Sequence, residues 1–178
     1  QYGSKSITIG NLTHAYNQAS RGNGFIEEFA INDESTRSLI SLYGDLCDDL
    51  HTDLHECLGH GSGQLLPGVS ADALGSYGST IEEARADLFG LYYIADPKLV
   101  QLGLTPNVEA YRSQYYTYMM NGLLTQLTRI KPGHQIEEAH MRNRALIARW
   151  VLSHYPNAVQ LVLQEGKTRV QISDYEHL

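Results

Sequence analysis

The pattern of apolar positions predicts a long helix in the first half of the chain. Apolar residues recur every three to four positions through residues 39–58, as expected for a helix with one buried stripe. The stripe consists of Leu39, Tyr43, Leu46, Leu50, Leu54, Cys57 and Leu58. Either Asp33 or Ser35 is suited to cap the first turn. Glycines in the stretch "GHGSG" favour an end of the helix near residue 60.

Three more helices follow. Ser79, with Glu82 three residues later, has the spacing of a capping box ahead of "IEEARADLFGLYYIA", and Asp96-Pro97 ends that helix. Further helices are predicted over residues 106–128, before "KPG", and over residues 135–154, before Pro156.

Strands are expected only near the two ends of the chain. Residues 5–9, "KSITI", alternate and are rich in β-branched side chains. After a short helical turn, "TRVQIS" at residues 168–173 reads as a second strand. The prediction is a mainly α fold with minor β structure near the termini, in a single domain covering residues 1–178.

Composition excludes two classes of partner. The net charge is −7 and no run of Lys or Arg occurs, so a nucleic-acid-binding surface is not expected. The longest apolar run, residues 88–95, is too short to span a membrane. The chain starts at Gln1 without a leader, and we expect it to be part of a longer protein.

The two cysteines suit a reducing, cytoplasmic compartment. Cys47 and Cys57 are ten residues apart in the predicted helix, a separation of roughly 15 Å that excludes a disulfide. As a small apolar residue, Cys57 is expected to be buried core.

The stretch "HECLGH" is the candidate metal-binding motif. His55 and His60 are five residues apart and would lie about 140° apart on a regular helix, too far to share an ion. A π-bulge at Leu58-Gly59 would bring them together, with Glu56 beside the ion. A rival pair, His51 and His55, has the regular spacing of four but no intervening Glu.

The stretch "EEARAD" offers a third ligand for such an ion. Glu83 and Asp87 share one helix face, so one can bind the ion while the other holds a histidine, and Glu82 can also support a histidine. By itself this stretch is better explained as an acidic first turn that complements the helix dipole. Beside "HECLGH" we favour the metal site, with Zn²⁺ and an open position for water.

The two motifs together resemble dipeptidyl peptidase III, a family of zinc exopeptidases. The similarity extends from "SITIGN" through "EEAHMRNRALIARWVL", and the extra residue before the second histidine is typical of the family. The resemblance implies that His55, His60 and Glu83 bind zinc, that Glu56 is the general base, and that Glu82 and Asp87 support the histidines. It also implies that His140 in "AHMRNR" stabilises the transition state and that Arg144 contacts substrate; a lone helical histidine like His140 is otherwise more often an ordinary surface residue.

Two departures from the family bear on what this chain does. Ala84 stands where the family usually has Cys, and the link between the motifs is short, as in bacterial members. Family enzymes are longer and two-lobed, so the resemblance implies a fragment of the helical catalytic lobe. We therefore expect zinc-dependent removal of dipeptides from the amino terminus of oligopeptides. The alternative is a zinc- or peptide-binding module without turnover, because the second lobe of the parent enzyme is missing.

Overall fold

The fold is mainly helical, as predicted. The structure is a computed structural model and describes residue 15 and residues 22–178; the strand predicted at residues 5–9 lies outside them. The helices are α1 (Phe25–Phe29), α2 (Glu34–Leu54), α3 (Gly78–Ile94), α4 (Lys98–Gln101), α5 (Tyr111–Leu123) and α6 (Ala139–His154). A π-helix (His55–His60) continues α2, and short 3-10 helices cover Gly75–Tyr77 and Thr125–Arg129. Strands β1 (Val159–Gln164) and β2 (Lys167–Ile172) complete the described part of the chain.

The start of α2 confirms one predicted cap, and the start of α3 contradicts another. The Asp33 carboxylate accepts a hydrogen bond of 2.8 Å from the backbone N–H of Thr36. The capping box at Ser79 is wrong, because α3 begins at Gly78, directly after the 3-10 helix, and has no side-chain cap. The Glu82 carboxylate instead contacts side chains outside the first turn, described below.

The last two long helices are shorter than predicted. Helix α5 begins at Tyr111 rather than near residue 106, because the Asn107 side chain accepts from the backbone of Glu109 and forms a separate turn. Helix α6 begins at Ala139 rather than residue 135, because Glu138 caps it.

The C-terminal segment is a β-hairpin. The predicted helical turn before the last strand is wrong: residues 159–164 form β1, which pairs antiparallel with β2 from Val159↔Ile172 to Gln164↔Lys167. Glu165 and Gly166 connect the strands with φ angles of 53° and 75°, as a type I′ turn requires. The β2 strand therefore matches the predicted one, while its partner was missed.

The buried face of α2 matches the predicted stripe only in part: Tyr43, Leu50 and Leu54 are partly buried against the core cluster that contains Cys47. The buried residues of α2 are Thr36, Ile40, Cys47 and His51, whereas Leu46 is 43% exposed and Leu58 of the π-helix 40% exposed. Cys57 is also exposed, contrary to expectation. The reason is tertiary: α3 and α5 pack on the side of the helix that carries Cys47, whose thiol donates to the Ala110 carbonyl.

Helix α5 runs through the centre of the packing. Its side chains Tyr116, Met119 and Met120 form the main core with residues from α2, α6 and both strands. A smaller cluster of Ala84, Tyr118 and Ile147 joins α3, α5 and α6. This packing holds the π-helix, α3 and the start of α6 around one point, where the candidate site lies. Among residues 22–178, no helix combines the length and apolar character needed to cross a membrane.

Candidate metal centre

The π-helix brings the two motif histidines together. Residues 55–60 form six residues of π-helix, the distortion that their spacing predicts. As a result His55 Nε2 and His60 Nε2 are 3.1 Å apart. The expected distortion is therefore confirmed, and both rings point to the same place.

Gly59 has a second role beyond the helix distortion. A Cβ built on Gly59 would lie 2.8 Å from both Cα and Cβ of Ala86 in α3. The π-helix and α3 are thus in direct backbone contact, which only glycine permits at this position. This contact sets the distance between the histidines and the acidic residues of α3.

Glu83 of α3 supplies a third atom at the same place. Its Oε2 is 3.3 Å from His55 Nε2 and 3.5 Å from His60 Nε2. This oxygen is buried and has no hydrogen-bond partner. A buried carboxylate oxygen without a donor is costly, so the position suits a bound cation.

The other ring nitrogen of each histidine faces a carboxylate. His55 Nδ1 is 2.7 Å from Asp87 Oδ1, and His60 Nδ1 is 3.0 Å from Glu82 Oε1. Each Nδ1–H donates to its carboxylate, which leaves the Nε2 lone pair free for a metal. Glu82 and Asp87 thus each contact one of the two histidines.

Both supporting carboxylates are held ionised. Hydrogen bonds from Arg85 lower the pKa of Glu82 to about 2. Burial opposes ionisation of Asp87, but the hydrogen bond from His55 and a further bond from Tyr118 keep its pKa below the usual value. Ionised carboxylates accept from the histidines and keep the Nε2 atoms as electron-pair donors.

The three converging atoms fit a tetrahedral metal ion. Tetrahedral zinc with bonds of about 2.0–2.1 Å to nitrogen and oxygen places neighbouring ligand atoms about 3.3–3.4 Å apart. The three distances between His55 Nε2, His60 Nε2 and Glu83 Oε2 are 3.1, 3.3 and 3.5 Å. Two imidazoles and one carboxylate are also a usual donor set for a catalytic zinc ion with one open position.

The two candidate catalytic residues lie at the edge of this group. A carboxylate oxygen of Glu56 lies within 4.8 Å of a ring nitrogen of His55 and of His60. His140 Nε2 is 3.2 Å from Glu83 Oε2, and the ring is 49% exposed on its side-chain surface. Both side chains can therefore reach a molecule bound at the open position.

Glu138 orients His140, a role that the sequence analysis missed. Its carboxylate accepts from the backbone N–H of both His140 and Met141 at the start of α6. The same carboxylate is 2.6 Å from His140 Nδ1. Burial opposes ionisation of Glu138, yet these bonds keep its pKa below the usual value. The available signal was an acidic residue two positions before a histidine.

Arg85 is a second missed residue. It donates two hydrogen bonds to Glu82, of 2.6 and 2.8 Å, and one of 2.9 Å to the Gly59 carbonyl. It therefore fixes the carboxylate that holds His60 and links α3 to the π-helix.

The rival pair His51 and His55 does not form a site. In the part of the chain that the structure describes, the atoms close enough to share a metal with His55 come from Glu56, His60, Glu83 and His140. His51 is not among them; it is buried against Tyr118, with ring centroids 5.8 Å apart. Burial lowers its pKa and keeps the ring neutral.

A polar cavity of about 300 Å³ opens beside the site. Its lining includes Glu56 and His140, and Arg144 of α6 contributes a positive charge. Asp48 and Asn121 lie on the same lining, so the cavity offers donors and acceptors suited to a peptide backbone.

Comparison with known proteins agrees with this geometry. A family model for peptidase family M49, the dipeptidyl peptidase III family, matches residues 70–175. The match includes Glu82, Glu83, Asp87 and His140, while the histidines of the π-helix precede it. No curated protein matches the chain. M49 is a family of metallopeptidases.

Proposed function

The chain belongs to peptidase family M49, and on that premise we propose that it hydrolyses peptide bonds with zinc held by His55, His60 and Glu83. The observation that carries the proposal is the convergence of three electron-pair donors within 3.1–3.5 Å of one another. When bound there, zinc polarises a carbonyl and lowers the pKa of a water molecule towards about 7.

Glu56 is the proposed general base. Its carboxylate takes a proton from the attacking water as the oxygen adds to the scissile carbonyl carbon. When the carbon–nitrogen bond breaks, Glu56 passes the same proton to the leaving amine. Its position within 4.8 Å of the ligand atoms of His55 and His60 supports this role.

His140 is proposed to stabilise the negative charge that develops on the substrate oxygen. Glu138 engages Nδ1, so an imidazolium at this position presents its second N–H through Nε2, towards the metal site. Arg144, on the same cavity lining, is placed to contact the substrate backbone.

Removal of dipeptides from the amino terminus of oligopeptides is the finer part of the proposal. It requires a group that binds the free amino terminus at a set distance from the metal. We propose that the second lobe of the parent enzyme supplies this group. The free thiols of Cys47 and Cys57 support a reducing, cytoplasmic location.

The test is hydrolysis of dipeptidyl arylamides and of an unlabelled octapeptide, by the chain alone and within its longer parent. We expect the parent to release dipeptides and Glu56→Gln to lower kcat by about 10²–10⁴-fold while keeping its zinc. Glu176→Gln, a change on the exposed tail, is the control.

Activity that survives Glu56→Gln would overturn the role of the base. Release of single amino acids would overturn the dipeptide assignment. If the chain alone binds zinc but is inactive while the parent is active, turnover requires both lobes.

A further inference from the structure

A buried hydrogen-bond chain extends behind the metal centre. The Tyr118 hydroxyl donates to Asp87 Oδ2 at 2.8 Å, while Asp87 Oδ1 accepts from His55 Nδ1 at 2.7 Å. Tyr118 is 5% exposed and Asp87 3%, so these bonds are shielded from bulk water. Each oxygen of the Asp87 carboxylate therefore has its own donor, one on the metal side and one from α5.

Asn143 of α6 extends the chain by one residue. Its Oδ1 is 3.1 Å from the Tyr118 oxygen, and its Nδ2 is buried with no partner. Tyr118 has a single hydroxyl hydrogen, which Asp87 accepts, so an amide oxygen facing the phenol oxygen would be repelled. Rotating the amide by 180° puts Nδ2 opposite the phenol oxygen and gives its N–H an acceptor. Asn143 then donates to Tyr118, which donates to Asp87.

A competing partner explains why Asp87 needs this second donor. His51 Nε2 is 3.8 Å from Asp87 Oδ1 and has no hydrogen-bond partner. A carboxylate held only by His55 could turn towards His51 and change the angle of the His55 ring. The bond from Tyr118 to Oδ2 restricts that rotation.

We propose that Tyr118 is a positioning residue for the metal site, acting through Asp87 on the tautomer and orientation of His55, with Asn143 holding its hydroxyl in place. The inference rests on the proposed metal site but not on peptide hydrolysis. Partners one step behind a metal ligand commonly change metal affinity by 10–100-fold. Because Tyr118 acts one step further away, we expect the low end of that range.

The test is Tyr118→Phe, which removes the hydroxyl and leaves the ring in its packing. We expect zinc affinity, measured by competition with a chromophoric chelator, to fall about tenfold. We also expect altered d–d absorption bands in the cobalt-substituted chain, since the angle of one ligand changes.

Tyr116→Phe is the matched control. Tyr116 is a buried tyrosine on the same helix, and its hydroxyl accepts from Ile31 N and donates to the Val170 carbonyl. Its loss should lower the thermal stability of the metal-free chain without changing zinc affinity or the cobalt spectrum.

A double-mutant cycle separates positioning from general loosening. Asp87→Asn already alters the hydrogen bond between residue 87 and His55. In that background Tyr118→Phe should therefore cause little further loss of zinc affinity. Unchanged zinc affinity and cobalt spectrum in Tyr118→Phe would overturn the inference. It would also be overturned if the double variant lost as much affinity as the two single variants combined. If the chain and its longer parent both bind zinc but hydrolyse nothing, that result would count against the proposed function alone.

Discussion

The contact between Gly59 and Ala86 gives the most direct test of how the site is built. In Gly59→Ala the new Cβ would lie 2.8 Å from Cα and Cβ of Ala86. Ordinary contacts between carbon atoms begin near 3.5 Å, so the π-helix and α3 must separate by about 0.7 Å. Backbone atoms block the methyl group, so no side-chain rotation can relieve the overlap.

That separation acts directly on the metal ligands. The histidines are on the π-helix and Glu83 is on α3, so the shift falls between them. Metal–ligand bonds tolerate deviations of about 0.2 Å, less than the shift required. We therefore expect zinc affinity to fall by at least about tenfold and the metal-free chain to lose about 1–3 kcal/mol of unfolding free energy.

Chelator competition measures the affinity, and urea denaturation of the metal-free chain measures the stability. Gly61→Ala is the matched control: Gly61 is two residues further on, has a helical φ of −61°, and its new Cβ would meet only the Glu56 carbonyl at 3.6 Å. A Gly59→Ala chain with wild-type zinc affinity would refute the reasoning.

Three further predictions concern the metal, the orientation of His140 and the cap of α2. Zinc at 100 times its Kd should raise the unfolding free energy of the chain by about 2.7 kcal/mol, and a chelator should remove this increase. If the same zinc concentration stabilises Glu83→Ala equally, the assignment of Glu83 as a ligand is wrong. Glu138→Ala should lower kcat by roughly tenfold and leave the zinc content unchanged, and metal analysis is run beside the kinetic assay. A loss of zinc that matches the loss of activity would contradict the view that Glu138 acts on His140 and not on the metal. Asp33→Ala should cost about 1 kcal/mol at neutral pH in urea denaturation. Burial opposes ionisation of Asp33, but hydrogen bonds from the first turn lower its pKa. The stabilisation by this carboxylate is therefore complete above the ordinary pKa of 3.8 and is lost as the pH falls below it. A cost of Asp33→Ala that does not change with pH would contradict this account.

The sequence by itself determined the features that depend on neighbours along the chain. The spacing of His55 and His60 required a distorted helix, and a π-helix is present at those residues. Asp33 was one of two residues predicted to cap α2, and it does so, because a cap depends on only a few consecutive residues. The relation of Glu83 to Asp87 followed from a single helical turn.

Tertiary structure decided the features that join distant segments. The buried face of α2 was predicted from its periodic apolar residues, but the packing of α3 and α5 centres that face on Cys47 and His51 and leaves Leu46 exposed. The part of Tyr118 in the hydrogen-bond chain could not be predicted, since it is 31 residues from Asp87 along the chain. Helix periodicity sets the angle between residues on one helix, whereas the distance between two helices depends on how they pack. At this site the contact between the Gly59 backbone and Ala86 sets the distance between the π-helix and α3.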